Sequence, residues 1–265
     1  MLNFSISNLA WNKDQNETVY SLMQQYSITG LEIAPTKIIP NAPYSHITEA
    51  TEWTKKLQTE YGFCIPSLQS VWYGRTEKLF GSAEERNELI KYTKSAINFA
   101  SAIKCKNLVF GCPKNRNIPD GTDFAMCNKI AVDFFKQIGD YAVSKNTCIG
   151  MEANPAIYGT NFVNTTSEAI ELVKKVDSEG FKLNLDVGTM IQNNEPVSVL
   201  KENANLINHV HISEPFLKKV EHRALHRELL EFLKAENYAG FVSIEMGLQE
   251  KIEDIEDILQ YIRNI

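Results

Sequence analysis

The sequence predicts an α/β protein in which eight parallel strands, each followed by a helix, close into a single (β/α)8 barrel over residues 1–265. Three observations carry that expectation. Short apolar runs alternate with helix-length amphipathic stretches eight times, and such alternation implies parallel strands joined by right-handed crossovers. No Ser/Gly linker or low-complexity segment divides the 265 residues, a length that suits one barrel of ~250. The first strand-to-helix turn, Ser7-Asn8-Leu9-Ala10-Trp11, lacks the glycines of an open doubly wound sheet, which makes that topology the second choice.

The elements follow in order. Leu2 to Ser7 alternates as a first strand, and Asp14 can cap a helix through Tyr26 whose Val19, Leu22 and Met23 fall at helical spacing. Gly30-Leu31-Glu32-Ile33-Ala34-Pro35 is a second strand stopped by proline, with Glu32 pointing opposite to Leu31 and Ile33. A Pro/Asn-rich loop leads to a helix over Ile47 to Tyr61, and Phe63 to Ser70 is the third strand. Ser82-Ala83-Glu84-Glu85 opens a long helix to Ile103 as a capping box. Asn107 to Phe110 is the fourth strand, and a helix from Asp123 to Ser144 leads to the run Thr147 to Glu152. Thr166 and Ser167 are read as caps for Glu168 to Val176, before the strand Phe181 to Asp186. A helix over Pro196 to Glu202 precedes the strand Leu206 to His211. Another, His222 to Glu236, precedes Phe241 to Glu245, and Ile252 to Ile262 is terminal.

A chain that is 43% hydrophobic and 23% charged can bury a sizeable core. Its formal charge of -6 argues against a general nucleic-acid binder. The five cysteines form no C-x-x-C pair and mostly fall in apolar runs. No basic leader or ~20-residue apolar window is present, so the expectation is a cytoplasmic protein with no membrane partner.

The last four strands each deliver one metal-competent side chain at the same end: Glu152, Asp186, His211 and Glu245. In a barrel these ends meet at one mouth. Three carboxylates so close repel unless a cation compensates them. An oxygen-rich set with one histidine and no cysteine suits one divalent ion, Mn2+, Mg2+ or Co2+, with Zn2+ also compatible. A single carboxylate at a strand end is most often a hydrogen-bonding loop residue, and His209 reads as a rim residue; the joint occurrence of four gives the set its weight.

The order G-x-E-x-N-P, N-L-D-V-G, H-V-H-I-S and V-S-I-E-M resembles the xylose isomerase-like TIM barrels, and within them the sugar isomerase/epimerase branch of tagatose 3-epimerase and hydroxypyruvate isomerase. Gly30-Leu31-Glu32-Ile33 and Tyr238-Ala239-Gly240-Phe241 extend the resemblance over essentially the whole chain. It implies that Glu152, Asp186, His211 and Glu245 bind one divalent ion. Glu152 and Glu245 also act as base and acid, moving a proton α to a carbonyl through an ene-diolate. The implied substrate is a small keto sugar or its phosphorylated or carboxylated derivative, and such barrels are often dimers or tetramers.

Departures from the family's pattern fall on substrate contacts. Thr189 stands where a histidine is common, and Lys218 and Lys219 are the nearest cations where an arginine usually follows His211. Trp11 and Trp72 are candidates to stack on a sugar, Glu32 to bond a hydroxyl, and Lys114, Arg116 and Lys218, with Arg75, to grip an anionic group. Large aromatics also cap barrels, and loop cations are usually just solvated. His222 and His226, at i and i+4, lack a third ligand and read as surface or cap residues. Three rivals remain: a dehydratase of the inosose or dehydroshikimate type, a non-catalytic sugar binder and an apurinic-site endonuclease, the last short of its further histidines in a chain with five.

Overall fold

A computed structural model describes residues 2–265. Eight parallel strands run in the order β2-β1-β8-β7-β6-β5-β4-β3. They are β1 (Asn3–Ser7), β2 (Gly30–Glu32), β3 (Ser67–Leu68), β4 (Asn107–Phe110), β5 (Ile149–Glu152), β6 (Phe181–Asp186), β7 (Ile207–Ser213) and β8 (Phe241–Glu245). Single bridges, Gly30 to Cys64 and Ile33 to Leu68, join β2 to the short β3 and nearly close the ring. The fold is a single (β/α)8 TIM barrel.

Nine helices surround the sheet among the described residues: α1 (Asn16–Gln25), α2 (Pro35–Ile38), α3 (Ile47–Tyr61), α4 (Ala83–Ala102), α5 (Phe124–Ser144), α6 (Thr166–Val176), α7 (Val187–Asn193), α8 (Ala224–Ala235) and α9 (Ile252–Asn264). Ser82 and Glu85 form the expected capping box of α4, whereas α6 is capped one residue earlier than expected, by Thr165 with Glu168. The stretch 196–202 holds only a 3-10 turn, Val197–Leu200, in place of a helix. Its place after β6 is taken by α7, which starts directly on Asp186.

The strands put their polar residues inside the barrel. Asn107 Nδ2 donates to Ser67 Oγ at 3.0 Å and to Asn184 Oδ1 at 3.2 Å, so these side chains converge on the axis. The alternate residues, such as Ile6, Leu31, Leu68, Met151, Val210 and Ile244, therefore face the helices, where they are at most 1% exposed. The apolar core is this outer shell: Phe110 and Phe181 pack on Phe135 of α5 at ring distances of 4.9 and 4.7 Å. Each such buried side chain contributes about 1.5–3 kcal/mol. The interior is crowded enough that a Cβ at Gly150 would lie 2.5 Å from Asn107 Oδ1.

One irregularity aims the seventh strand. Leu183 pairs with Ile207 but Asn184 pairs with His209, so Asn208 is an extra residue on β7. That bulge brings His209 and His211 level with Asn184 and Asp186 on the inner face. Without it every β7 side chain beyond would turn to the helices.

Candidate active site

Glu152, Asp186, His211 and Glu245 meet at the C-terminal end of the barrel. One donor atom from each lies within 4.8 Å of all the others. His211 Nδ1 is 3.0 Å from Glu152 Oε1 and 3.1 Å from Glu245 Oε2. Donors about 3 Å apart are what ligands at about 2.1 Å present in an octahedral shell. The oxygen-rich set fits a hard divalent ion, and no other group in the cluster offsets three carboxylates except the imidazole.

Three of the four side chains are braced from behind. Thr189 N and Thr189 Oγ1 both lie 2.7 Å from Asp186 Oδ2, and the hydroxyl also reaches Ala153 O at 2.8 Å. Ser213 Oγ donates to the other oxygen of Asp186 and accepts from Gly188 N at 2.8 Å. Asn184 Nδ2 donates to Glu152 Oε1 at 2.9 Å, and Asn154 Nδ2 to Oε2 at 3.2 Å. Gly111, at the end of β4, leaves room for that carboxylate: a Cβ there would sit 2.7 Å from Glu152 Oε2. Behind the imidazole, His211 Nε2 is 3.0 Å from Glu32 Oε2 inside the barrel.

The electrostatics follow from burial and charge. Burial, then the nearby Glu152 charge, raises the Asp186 carboxyl above its ordinary range. Burial likewise raises Glu245, although His211 opposes it. For His211 burial favours the neutral ring, but the charges of Glu245 and Glu32 and the bonds to Glu152 and Glu245 outweigh it and hold the proton well above the usual range. Burial pushes Glu32 upward too, yet the His211 charge and the contacts of both imidazoles leave it well below the usual carboxylate range. The imidazolium is the positive charge that the set itself offers its carboxylates.

A cavity of about 250 Å³ opens onto the cluster, lined by Glu152, Asp186 and Glu245 and by Asn154, Tyr158, Ser213, Glu214 and Leu217. A sequence model of the xylose isomerase-like TIM barrel matches residues 22–265. The chain belongs to that family.

Solved structures with the same xylose isomerase-like fold include a 3-keto-D-glucoside 4-epimerase from E. coli (TM-score 0.80, 17% identity, all of both chains covered). A D-psicose 3-epimerase from Clostridium cellulolyticum, with D-tagatose, superposes at TM-score 0.79 with 15% identity over 99% of each chain. An AP endonuclease of family 2 from Brucella melitensis does so at 0.73 and 17% identity, over 95% of this chain and 96% of its own. Identities this low show the fold alone. A search of curated proteins gives no match.

None of the seven candidate substrate contacts lines the cavity of this xylose isomerase-like barrel. Trp11 is buried and bonds Asn16 Oδ1 at 2.8 Å, facing a separate pocket beside α1 and α3. Trp72 is buried against Phe110 and Phe134, its indole N–H on Thr93 Oγ1 at 2.8 Å. Glu32 is buried behind His211 and Thr189 behind Asp186, rather than in the cavity. Arg116 is fully buried and donates to Glu152 O at 3.0 Å and Asn154 Oδ1 at 2.9 Å, so it supports the end of β5. Lys114 and Lys218 are exposed on loops outside the lining. His226 is buried between α8 and α9, near Tyr261 OH at 3.3 Å, and His222 is exposed and stacked on Tyr261. The missed lining residues Asn154, Ser213 and Glu214 had a signal, for each follows Glu152 or His211 by two or three positions.

Proposed function

We propose that the chain is a divalent-metal-dependent sugar isomerase or epimerase acting on an uncharged keto sugar. The observation that carries this reading is the convergence of Glu152, Asp186, His211 and Glu245 on one polar cavity. The sugar epimerases among the structural neighbours favour the same class of reaction. Five free thiols suit a reducing compartment, and no helix among the described residues is long and apolar enough to cross a membrane.

The substrate is taken as uncharged because no Lys or Arg lines the cavity among the described residues, while four carboxylates do. At ~7 Å and an effective dielectric of ~20, each pair of like unit charges repels by about 2 kcal/mol. A phosphate would meet that repulsion, and a dication would offset only part of it. Two cations of the loop after β7 are engaged elsewhere: Arg223 on Glu214, and Lys219 on Asp254 and Asp257.

Glu152, Asp186, His211 and Glu245 would hold a divalent ion, which would supply the positive charge that acidifies the substrate C–H next to the carbonyl. Three hydrogen bonds pin Asp186, which restricts it to holding the ion. Glu152 and Glu245 carry the proton: one removes it from carbon and the other returns one. Return to the opposite face inverts the centre, and return to the neighbouring carbon moves the carbonyl. Asn184 and Asn154 keep Glu152 aimed while its charge changes.

The test is deuterium uptake from D2O into a panel of ketoses and ketose phosphates, with Mn2+ present. Exchange next to the carbonyl is expected with neutral ketoses and not with phosphates, and Glu152→Gln or Glu245→Gln abolishes it. No exchange across the panel refutes the reading.

A further inference from the structure

We propose that Glu32 is the positioning residue that turns the Nδ1 face of His211 to the carboxylate cluster, by accepting the Nε2 proton inside the barrel. The inference rests on the metal-binding reading above and adds a residue that does not touch the ion.

His211 is completely buried and has two polar atoms. Nδ1 faces Glu152 and Glu245; Nε2 lies 3.0 Å from Glu32 Oε2. A neutral imidazole carries one proton, and only the nitrogen without it can ligate. Glu32, an acceptor, takes a hydrogen bond only from a protonated Nε2, which leaves the Nδ1 lone pair for the ion. Without Glu32, Nε2 would be buried with no acceptor, and the proton would serve better on Nδ1, between two carboxylate oxygens. That tautomer blocks ligation. Glu32 is in turn held from two other strands: Gln69 Nε2, just beyond β3, donates to Oε1 at 3.1 Å and also to Ser7 Oγ of β1.

Glu32, His209 and His211 also bring three donor atoms within 4.8 Å of one another. His209 Nε2 stands 2.9 Å from the same Glu32 oxygen, off the hydrogen-bonding direction. A second ion there would require His211 to give up both ring protons, so the arrangement holds one ion and Glu32 serves as acceptor.

The experiment is calorimetric titration of metal-free protein with Mn2+, on wild type, Glu32→Gln and Glu32→Ala, with melting temperatures measured alongside. One ion per wild-type chain is expected, bound 10–100-fold more weakly by Glu32→Ala. Glu32→Gln, whose amide oxygen still accepts but carries no charge, falls between. Equal affinity in folded Glu32→Ala overturns the proposal. Two ions per wild-type chain, one lost with Glu32, overturns it by making Glu32 a ligand. A wild type that binds no Mn2+ overturns the metal-binding reading and this inference together. Long-range 1H–15N spectra of the Zn2+-loaded wild type decide the matter if Glu32→Ala does not fold: a His211 proton on Nε2 supports the proposal, and one on Nδ1 overturns it.

Discussion

Lowering the pH should unfold this protein partly through one histidine outside the carboxylate cluster. His226 of α8 is 0% exposed; burial depresses its pKa from 6.5 to about 4, with Arg223 and His222 acting in the same direction and Glu214 against it. The unfolded chain takes up this proton near its ordinary pKa, whereas the folded chain resists it until about pH 4. Between those values the unfolded state holds more protons, so stability falls as pH falls. The full contribution is present above pH 6.5 and is lost toward pH 4, a span of 2.5 units worth about 3.4 kcal/mol at 1.36 kcal/mol per unit. At pH 5 the loss is about 2 kcal/mol. Urea unfolding of wild type and His226→Leu at pH 7, 6, 5 and 4.5 isolates the effect, because the carboxylates titrate in both proteins. The variant should lose less stability than wild type over this range, by about 2–3 kcal/mol at the lowest pH. Parallel curves would refute the reasoning.

Other outcomes follow from the site. Saturating Mn2+ at 1,000 times its Kd should add about 4 kcal/mol, raising Tm by about 8–16 °C; chelation reverses it and the Glu152→Gln/Glu245→Gln double variant abolishes it. Because burial raises the Asp186 and Glu245 carboxyls, protons compete for the site above the ordinary carboxylate range, and calorimetry should find Mn2+ affinity falling as pH falls. Thr189→Val removes the hydroxyl 2.7 Å from Asp186 Oδ2 and should weaken Mn2+ binding about 10–100-fold. Gly111→Ala, displacing Glu152 Oε2, should lower the same affinity about tenfold with little change in Tm. Arg223→Met leaves the buried Glu214 carboxylate without its two bonds of 2.6 and 2.7 Å and should cost about 2–3 kcal/mol, read as a fall in Tm of about 4–12 °C.

Apolar runs ending in a donor made the ring of strands and the cluster at its mouth legible before any coordinates. The interior was not. Ser5, Asn107, Asn184 and Ser243 lay inside the expected strands, but nothing marked them as the filling of a barrel axis, which normally holds branched apolar side chains. The β7 bulge has no local signature, yet it decides which way both histidines face. Tryptophans beyond β1 and β3 suit a sugar platform and a hydrophobic plug equally well; the choice was made by Asn16 and Thr93, residues 5 and 21 positions away. Charge at Arg116 suggested a solvated loop, and only the folded chain shows carbonyl groups gathered around it. Asp186 was legible as a ligand, but its second use, accepting from Thr189 N to start α7, was hidden because a helix was expected ten residues later.

That second use ties two properties that most proteins vary independently. On the proposed reading a change at position 186 would strip the ion of a ligand, and it also frees the first turn of a seven-residue helix, an N-cap being worth about 1 kcal/mol. Decay of activity by this route therefore carries a penalty in folding. A descendant that abandoned the chemistry would still be under pressure to keep an aspartate, asparagine or serine there, so the identity of this residue reports on helix architecture as much as on turnover.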